Sequence, residues 1–122
     1  MEVGRTRVLI VDDDASMRIT TAASLEHCDT HVVASAREAI ECLAERTFDV
    51  IVCDLVMPEM TGAELYASLP EDSPARDRFI FMTGGALPKA IQSFLALTSV
   101  PLLRKPFRVD DLREAVRAVA CA

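Results

Sequence analysis

Five short apolar runs, each halted by a polar or charged residue, constrain the fold of this 122-residue chain more than any other feature. They are RVLIV (7–11), HVVA (31–34), DVIVC (49–53), RFIFM (78–82) and VPLL (100–103). None keeps the strict apolar–polar alternation of a strand with one wet face, so each reads as a strand buried on both faces. Between the runs the spacing changes to that of a helix. Residues 15–27 place Met17, Thr21, Ser24 and Leu25 on one face, with Cys28 just beyond. Ser35-Ala-Arg-Glu38 is a capping box that opens a second helix with Ala39, Ile40, Leu43 and Ala44 inward. Thr61-Gly-Ala-Glu64 is another, starting a short helix that runs to Leu69. Leu87, Ile91, Phe94 and Leu95 mark a fourth helix, and Val109, Leu112, Val116 and Val119 a fifth. Pro70 and Pro74 sit in a polar loop, PEDSPAR (70–76).

Strand and helix thus alternate through the whole length. Such alternation predicts a parallel sheet with helices on both faces. Five β-α units are too few for a closed eight-stranded barrel, so the expectation is an open α/β fold: a flavodoxin-like doubly wound sheet of order 2-1-3-4-5 with five helices. The length fits one domain, 1–122, with no internal repeat and no linker.

Charge and composition narrow the function. At 51% hydrophobic the chain can bury a core, and its net charge of −6 provides no basic face for nucleic acid or an anionic membrane. No apolar run approaches the ~20 residues of a membrane span. The apolar stretch near the N-terminus is too short for a secretory signal and runs at once into acids, so a cytoplasmic location is expected. Cys28, Cys42, Cys53 and Cys121 show neither Cys-x-x-Cys nor Cys…His metal spacing and read as reduced, buried thiols. His27 and His31 straddle a helix end and a strand start, and read as surface or half-buried imidazoles. Met57 and Met60, flanking Pro58, read as loop packing.

A parallel sheet brings the carboxyl ends of all its strands to one edge, where open α/β folds bind ligands. Asp12 and Asp13 end the first strand, Asp54 follows the third, Thr83 the fourth and Lys105 the fifth. Taken one at a time these are ordinary end-of-strand residues, and Asp14 beside them reads as a helix cap. Taken together they put three carboxylates, a hydroxyl and an amine around one crevice. Three carboxylates at close range repel, and a hard divalent cation relieves the repulsion. Mg²⁺ suits such a site, because it takes one or two carboxylates and keeps room for phosphate oxygens. An aspartate can then act as nucleophile toward phosphorus, with Lys105 and Thr83 placed for phosphoryl oxygens.

VLIVDDD, VIVCDLVMPEMTG, FMTGG and LLRKPF, in that order, resemble the signatures of the receiver domain of bacterial two-component response regulators and hybrid sensor histidine kinases. The resemblance covers essentially the whole chain, and the MTGGA…RKPF pattern is nearer to receivers of hybrid kinases than to those of DNA-binding regulators. It implies that Asp54 accepts a phosphoryl group from a phosphohistidine on a sensor kinase or phosphotransfer protein. It implies that Asp12, Asp13, Asp54 and the backbone carbonyl of Val56 hold Mg²⁺. Lys105 would pair with Asp54 and then with the phosphoryl group, and Thr83 would move toward it. The phosphorylated form would signal through the surface of the fourth helix, fifth strand and fifth helix to an output partner or same-chain kinase domains. The domain would catalyse its own phosphorylation and dephosphorylation without being an enzyme in the usual sense.

Two departures from that pattern, at three positions, stand out. Leu102 stands where receivers often carry Tyr or Phe, and Val56 and Gly85 present no polar side chain over the phosphate. Three other readings use the same residues. One is a receiver fold that serves only as an interaction module. A second is a phosphatase of the haloacid-dehalogenase type, using Asp12-x-Asp14 and the late acidic pair Asp110-Asp111. A third is a flavodoxin, disfavoured because the three acids after the first strand would repel a flavin phosphate.

Overall fold

The computed structural model describes residues 5–121; the ends of the expected domain, 1–4 and 122, lie outside them. The five strands are β1 (Arg7–Val11), β2 (Asp29–Val33), β3 (Val50–Asp54), β4 (Phe79–Thr83) and β5 (Leu102–Arg104). The helices are α1 (Ala15–Ser24), α2 (Ala36–Glu45), α3 (Gly62–Ser68), α4 (Lys89–Leu97) and α5 (Val109–Ala120). All strands pair in parallel in the order β2-β1-β3-β4-β5, as expected from the alternation.

Side chains of a strand point to opposite faces in turn, and the core divides accordingly. Leu9, Val11, Ile51, Cys53, Phe79 and Phe81 pack beneath α2, α3 and α4. Val8, Ile10, Val50, Val52, Ile80 and Met82 pack beneath α1 and α5. β3 and β4 are buried from end to end, as strands with two covered faces must be. β2 and β5 are the sheet edges and are only partly covered.

Element boundaries moved where backbone pairing, not side-chain pattern, sets them. β2 begins at Asp29, before its apolar run, because Asp29 pairs with Arg7 and Thr30 with Val8. β5 begins at Leu102 and not Val100: Pro101 has no N–H to give, although its carbonyl accepts from Phe81. β3 takes in Asp54 as its last residue, and Asp49 falls outside it. β4 starts after Arg78, which belongs to a 3-10 turn at Pro74–Arg78 that runs two residues past the expected loop and is capped by Ser73. α1 ends at Ser24, three residues short of expectation.

The caps are mostly as the sequence indicates. Asp14 accepts from the amides of Ser16 and Met17 at the start of α1. Thr61 and Glu64 close a complete reciprocal box on α3. The Ser35 box is half-formed: Ser35 accepts from the Glu38 amide, but the Glu38 carboxylate meets the Ser35 hydroxyl instead of the backbone. On α5, Val109 is exposed, while Leu112 and Val116 are buried. The four thiols are unpaired; Cys28 and Cys53 are buried, but Cys42 is half-buried and Cys121 exposed, against the expectation for those two. His27 is exposed and His31 half-buried, and Met57 sits in the core with Met60 packed against it. Among the described residues, no helix is long and apolar enough to cross a membrane.

Candidate functional site

Two adjacent strands deliver the acids. β1 sits between β2 and β3, so the residues that leave it come out beside the end of β3. Asp12 and Asp13 follow β1, Asp54 closes β3, and one carboxylate oxygen from each lies within 4.8 Å of the others. Asp12 is fully buried, Asp54 nearly so, and Asp13 faces solvent. The amide of Asp14 donates to Asp12 Oδ1 at 2.9 Å, and the amide of Val56 donates to Asp54 Oδ1 at 3.3 Å. Lys105 comes from the far side of β4, just past β5, and its Nζ stands 3.3 Å from both Asp12 Oδ2 and Asp54 Oδ2. The amide of Lys105 donates to the Thr83 carbonyl at 2.6 Å, which ties the end of β5 to the end of β4.

The electrostatics follow from this crowding. Burial pushes the Asp54 carboxyl above its ordinary range; the Lys105 ammonium opposes the rise and the neighbouring Asp12 adds to it. Burial by itself would lower Lys105, but the carboxylates of Asp54 and Asp12 outweigh it and leave the ammonium group raised. Cys53, next to Asp54 but on the covered face, is held as a neutral thiol, first by burial and then by those same two acids. One ammonium between three acids leaves the cluster short of positive charge. Oxygen donors at this spacing fit a hard cation such as Mg²⁺ better than a thiolate- or imidazole-seeking metal.

The remaining expected residues are placed as follows. Thr83 ends β4 and is buried, and its hydroxyl has no hydrogen-bond partner among the described residues. An unpaired buried hydroxyl costs roughly 1–3 kcal/mol, so its presence calls for an explanation. Val56 lies in the turn after Asp54 with its side chain 45% exposed. That turn closes tightly: the Leu55 amide donates to Met82 and its carbonyl accepts from Gly62, both at 2.9 Å. A Cβ at Gly62 would overlap the carbonyl of Asp54, so only glycine lets α3 start so near the site. Leu102 opens β5 opposite Phe81 and packs against the core on the α4 side. Asp110 and Asp111 lie in the first turn of α5, where Asp111 accepts from the Arg108 amide, remote from the role a phosphatase would need.

Two features escaped the sequence reading. Arg18, on α1, donates from Nη1 to the carbonyl of Asp12 at 2.8 Å. Its position four residues after Asp14 was a signal, but an arginine on a helix ordinarily reads as surface charge. The second is an apolar cavity of about 390 Å³ beside Lys105, bounded by Met17, Thr20 and Ser24 of α1 and by Pro106, Phe107 and Val109 after β5. The two segments that form it are far apart in sequence and carry no shared motif.

A family model of the response regulator receiver domain matches residues 8–117. The response regulator receiver protein CpdR of Brucella abortus is 32% identical over 118 residues, spanning 95% of this chain and 98% of that protein. The sensor kinase CckA of the same organism is also 32% identical, over 93% of this chain but only 12% of its own length. Among solved structures, the chemotaxis protein CheY4 of Vibrio cholerae superposes with a TM-score of 0.82 at 28% identity, covering 95% of this chain and 99% of that one.

Proposed function

The chain belongs to the response regulator receiver family of two-component signalling, and from that premise we propose that it is a phosphoacceptor domain with Asp54 as the acceptor. The observation that carries this is the convergence of the Asp12, Asp13 and Asp54 carboxylates within 4.8 Å, with Lys105 bridging two of them. In the proposed reaction a carboxylate oxygen of Asp54 attacks phosphorus, the bond from phosphorus to the donor imidazole nitrogen breaks, and the imidazole leaves with a proton from solvent. Asp54 suits the attack because it closes a strand with neighbours on both sides and is anchored through Val56 and Leu55. Lys105 favours its ionised form beforehand, against the effect of burial, and is free to turn to a phosphoryl oxygen afterwards. Thr83 carries an unpaired hydroxyl that such an oxygen would satisfy. Asp12, Asp13 and Asp54, with the Val56 carbonyl, would hold Mg²⁺. Bound there, the cation neutralises charge on the phosphoryl oxygens.

The donor is a histidine kinase or phosphotransfer protein, and the output partner is a separate chain or other domains of the same one. The domain unit of residues 1–122 serves either arrangement. The apolar cavity between α1 and the start of α5 adjoins Lys105 and supports approach of a helical partner from that side. Readout from the α4–β5–α5 surface is part of the same proposal, as are self-catalysed labelling and hydrolysis.

The experiment is labelling with acetyl phosphate or a phosphohistidine donor in the presence of Mg²⁺. Labelling is expected in the native chain and absent in Asp54→Asn. Undiminished labelling of the variant refutes the assignment, and absence of labelling in both would favour an interaction module.

A further inference from the structure

We propose that Arg18 is a positioning residue for the metal site, acting through the backbone and not through its charge. This rests on the reading that Asp12, Asp13 and Asp54 bind Mg²⁺. Asp12 is buried, and at Asp12 the chain leaves the sheet, so its carbonyl needs a partner other than a neighbouring strand. Arg18 Nη1 supplies one at 2.8 Å. A peptide unit is planar, so fixing the Asp12 carbonyl fixes the plane it shares with the Asp13 amide, and thereby the direction in which Asp13 leaves that plane.

The two acids depend on this bond to different degrees. The Asp12 carboxylate is already held on both oxygens, by the Asp14 amide and by Lys105. The Asp13 carboxylate has no hydrogen-bond partner among the described residues, so its place in the cluster depends on the backbone alone. Nor is the Arg18 bond needed to start α1. Asp14 caps that helix through Ser16 and Met17, and the Arg18 amide already closes its first turn onto the Asp14 carbonyl.

Charge and positioning predict opposite signs. Removing a cation near a cation site should by Coulomb's law tighten Mg²⁺. Releasing the Asp12–Asp13 peptide should loosen it, in the way that losing an outer partner of a metal ligand does. The test is Mg²⁺ titration by calorimetry on the native chain, Arg18→Met, Arg18→Lys and Asp13→Ala, with melting curves in chelator. For Arg18→Met, which keeps the apolar stem, Kd is expected to rise about tenfold. For Arg18→Lys, which keeps the charge and one donor, the rise is about threefold. Melting in chelator should change little for either.

Unchanged or tighter Mg²⁺ in Arg18→Met, with binding lost in Asp13→Ala, overturns the positioning role alone. Unchanged binding in Asp13→Ala overturns the metal-site reading and this inference with it. Should Arg18→Met give no cooperative melt, Arg18→Lys decides: a weakened Kd supports the role, and a native Kd overturns it.

Discussion

β3 and β5 each bring one charged residue to the site, and they do so on very different foundations. β3 is five residues long, wholly buried, and flanked by β1 and β4. β5 is three residues long, pairs only with β4, and is half-buried to exposed. Asp54 is therefore set by a central strand that cannot shift without disturbing both faces of the core. Lys105 hangs from a sheet edge with little packing behind it, tied chiefly by its amide to Thr83. A nucleophile benefits from the first arrangement, since misplacing a reacting group is expensive in rate. A group that changes partners benefits from the second.

That contrast can be broken by measurement. The largest effect is expected for Ile51→Ala in β3, a fully buried residue, at about 2–5 kcal/mol of unfolding free energy by urea titration. Gly62→Ala should follow at roughly 1–3 kcal/mol, because its Cβ meets the Asp54 carbonyl, an unyielding backbone group. Leu102→Ala on β5, half-buried, should lose about 1 kcal/mol, the contribution of a partly covered side chain. If Leu102→Ala were as damaging as Ile51→Ala, β5 would be no looser than β3, and the contrast would fail. The smallest effect is expected for Thr83→Val. Replacing an unpaired buried hydroxyl by a methyl of similar shape should leave stability within ~1 kcal/mol or raise it. The variant should still take label at Asp54. A large destabilisation would mean that the Thr83 hydroxyl has a partner in the folded protein.

The α4 side of the β4–β5 pair has no aromatic at position 102, but it has aromatics elsewhere. Phe81, directly opposite Leu102, meets Phe94 of α4 and Tyr66 of α3 edge-on, with ring centroids 5.6 and 5.8 Å apart. Phe81 shares its face of β4 with Thr83, two residues on, since alternate residues point the same way. The sequence flagged Leu102 as a departure. It could not place Phe81, Phe94 and Tyr66 together, because they belong to three elements with no common spacing.

Most of the architecture was legible because buried parallel strands leave an unambiguous record. Five apolar runs alternating with helical spacing admit few folds, and the Asp14 and Thr61 caps announce their helices by residue type. The edge strands were misjudged by one to two residues at their ends, since an edge strand is defined by its ladder partner more than by its own side chains. Asp12, Asp13, Asp54, Thr83 and Lys105 could be brought together by topology alone, because every strand of such a sheet ends at the same edge.

What the sequence determined by itself, then, was which residues meet: the apolar pattern places each strand to within a residue or two, and a parallel sheet has one carboxyl edge. What only the tertiary structure decided was how they meet. That Lys105 spans two acids while Asp13 stays open to solvent, that Thr83 is buried without a partner, and that Arg18 grips the carbonyl of Asp12 all depend on side-chain directions and backbone turns. Those are settled by packing across elements tens of residues apart, where no local pattern reaches.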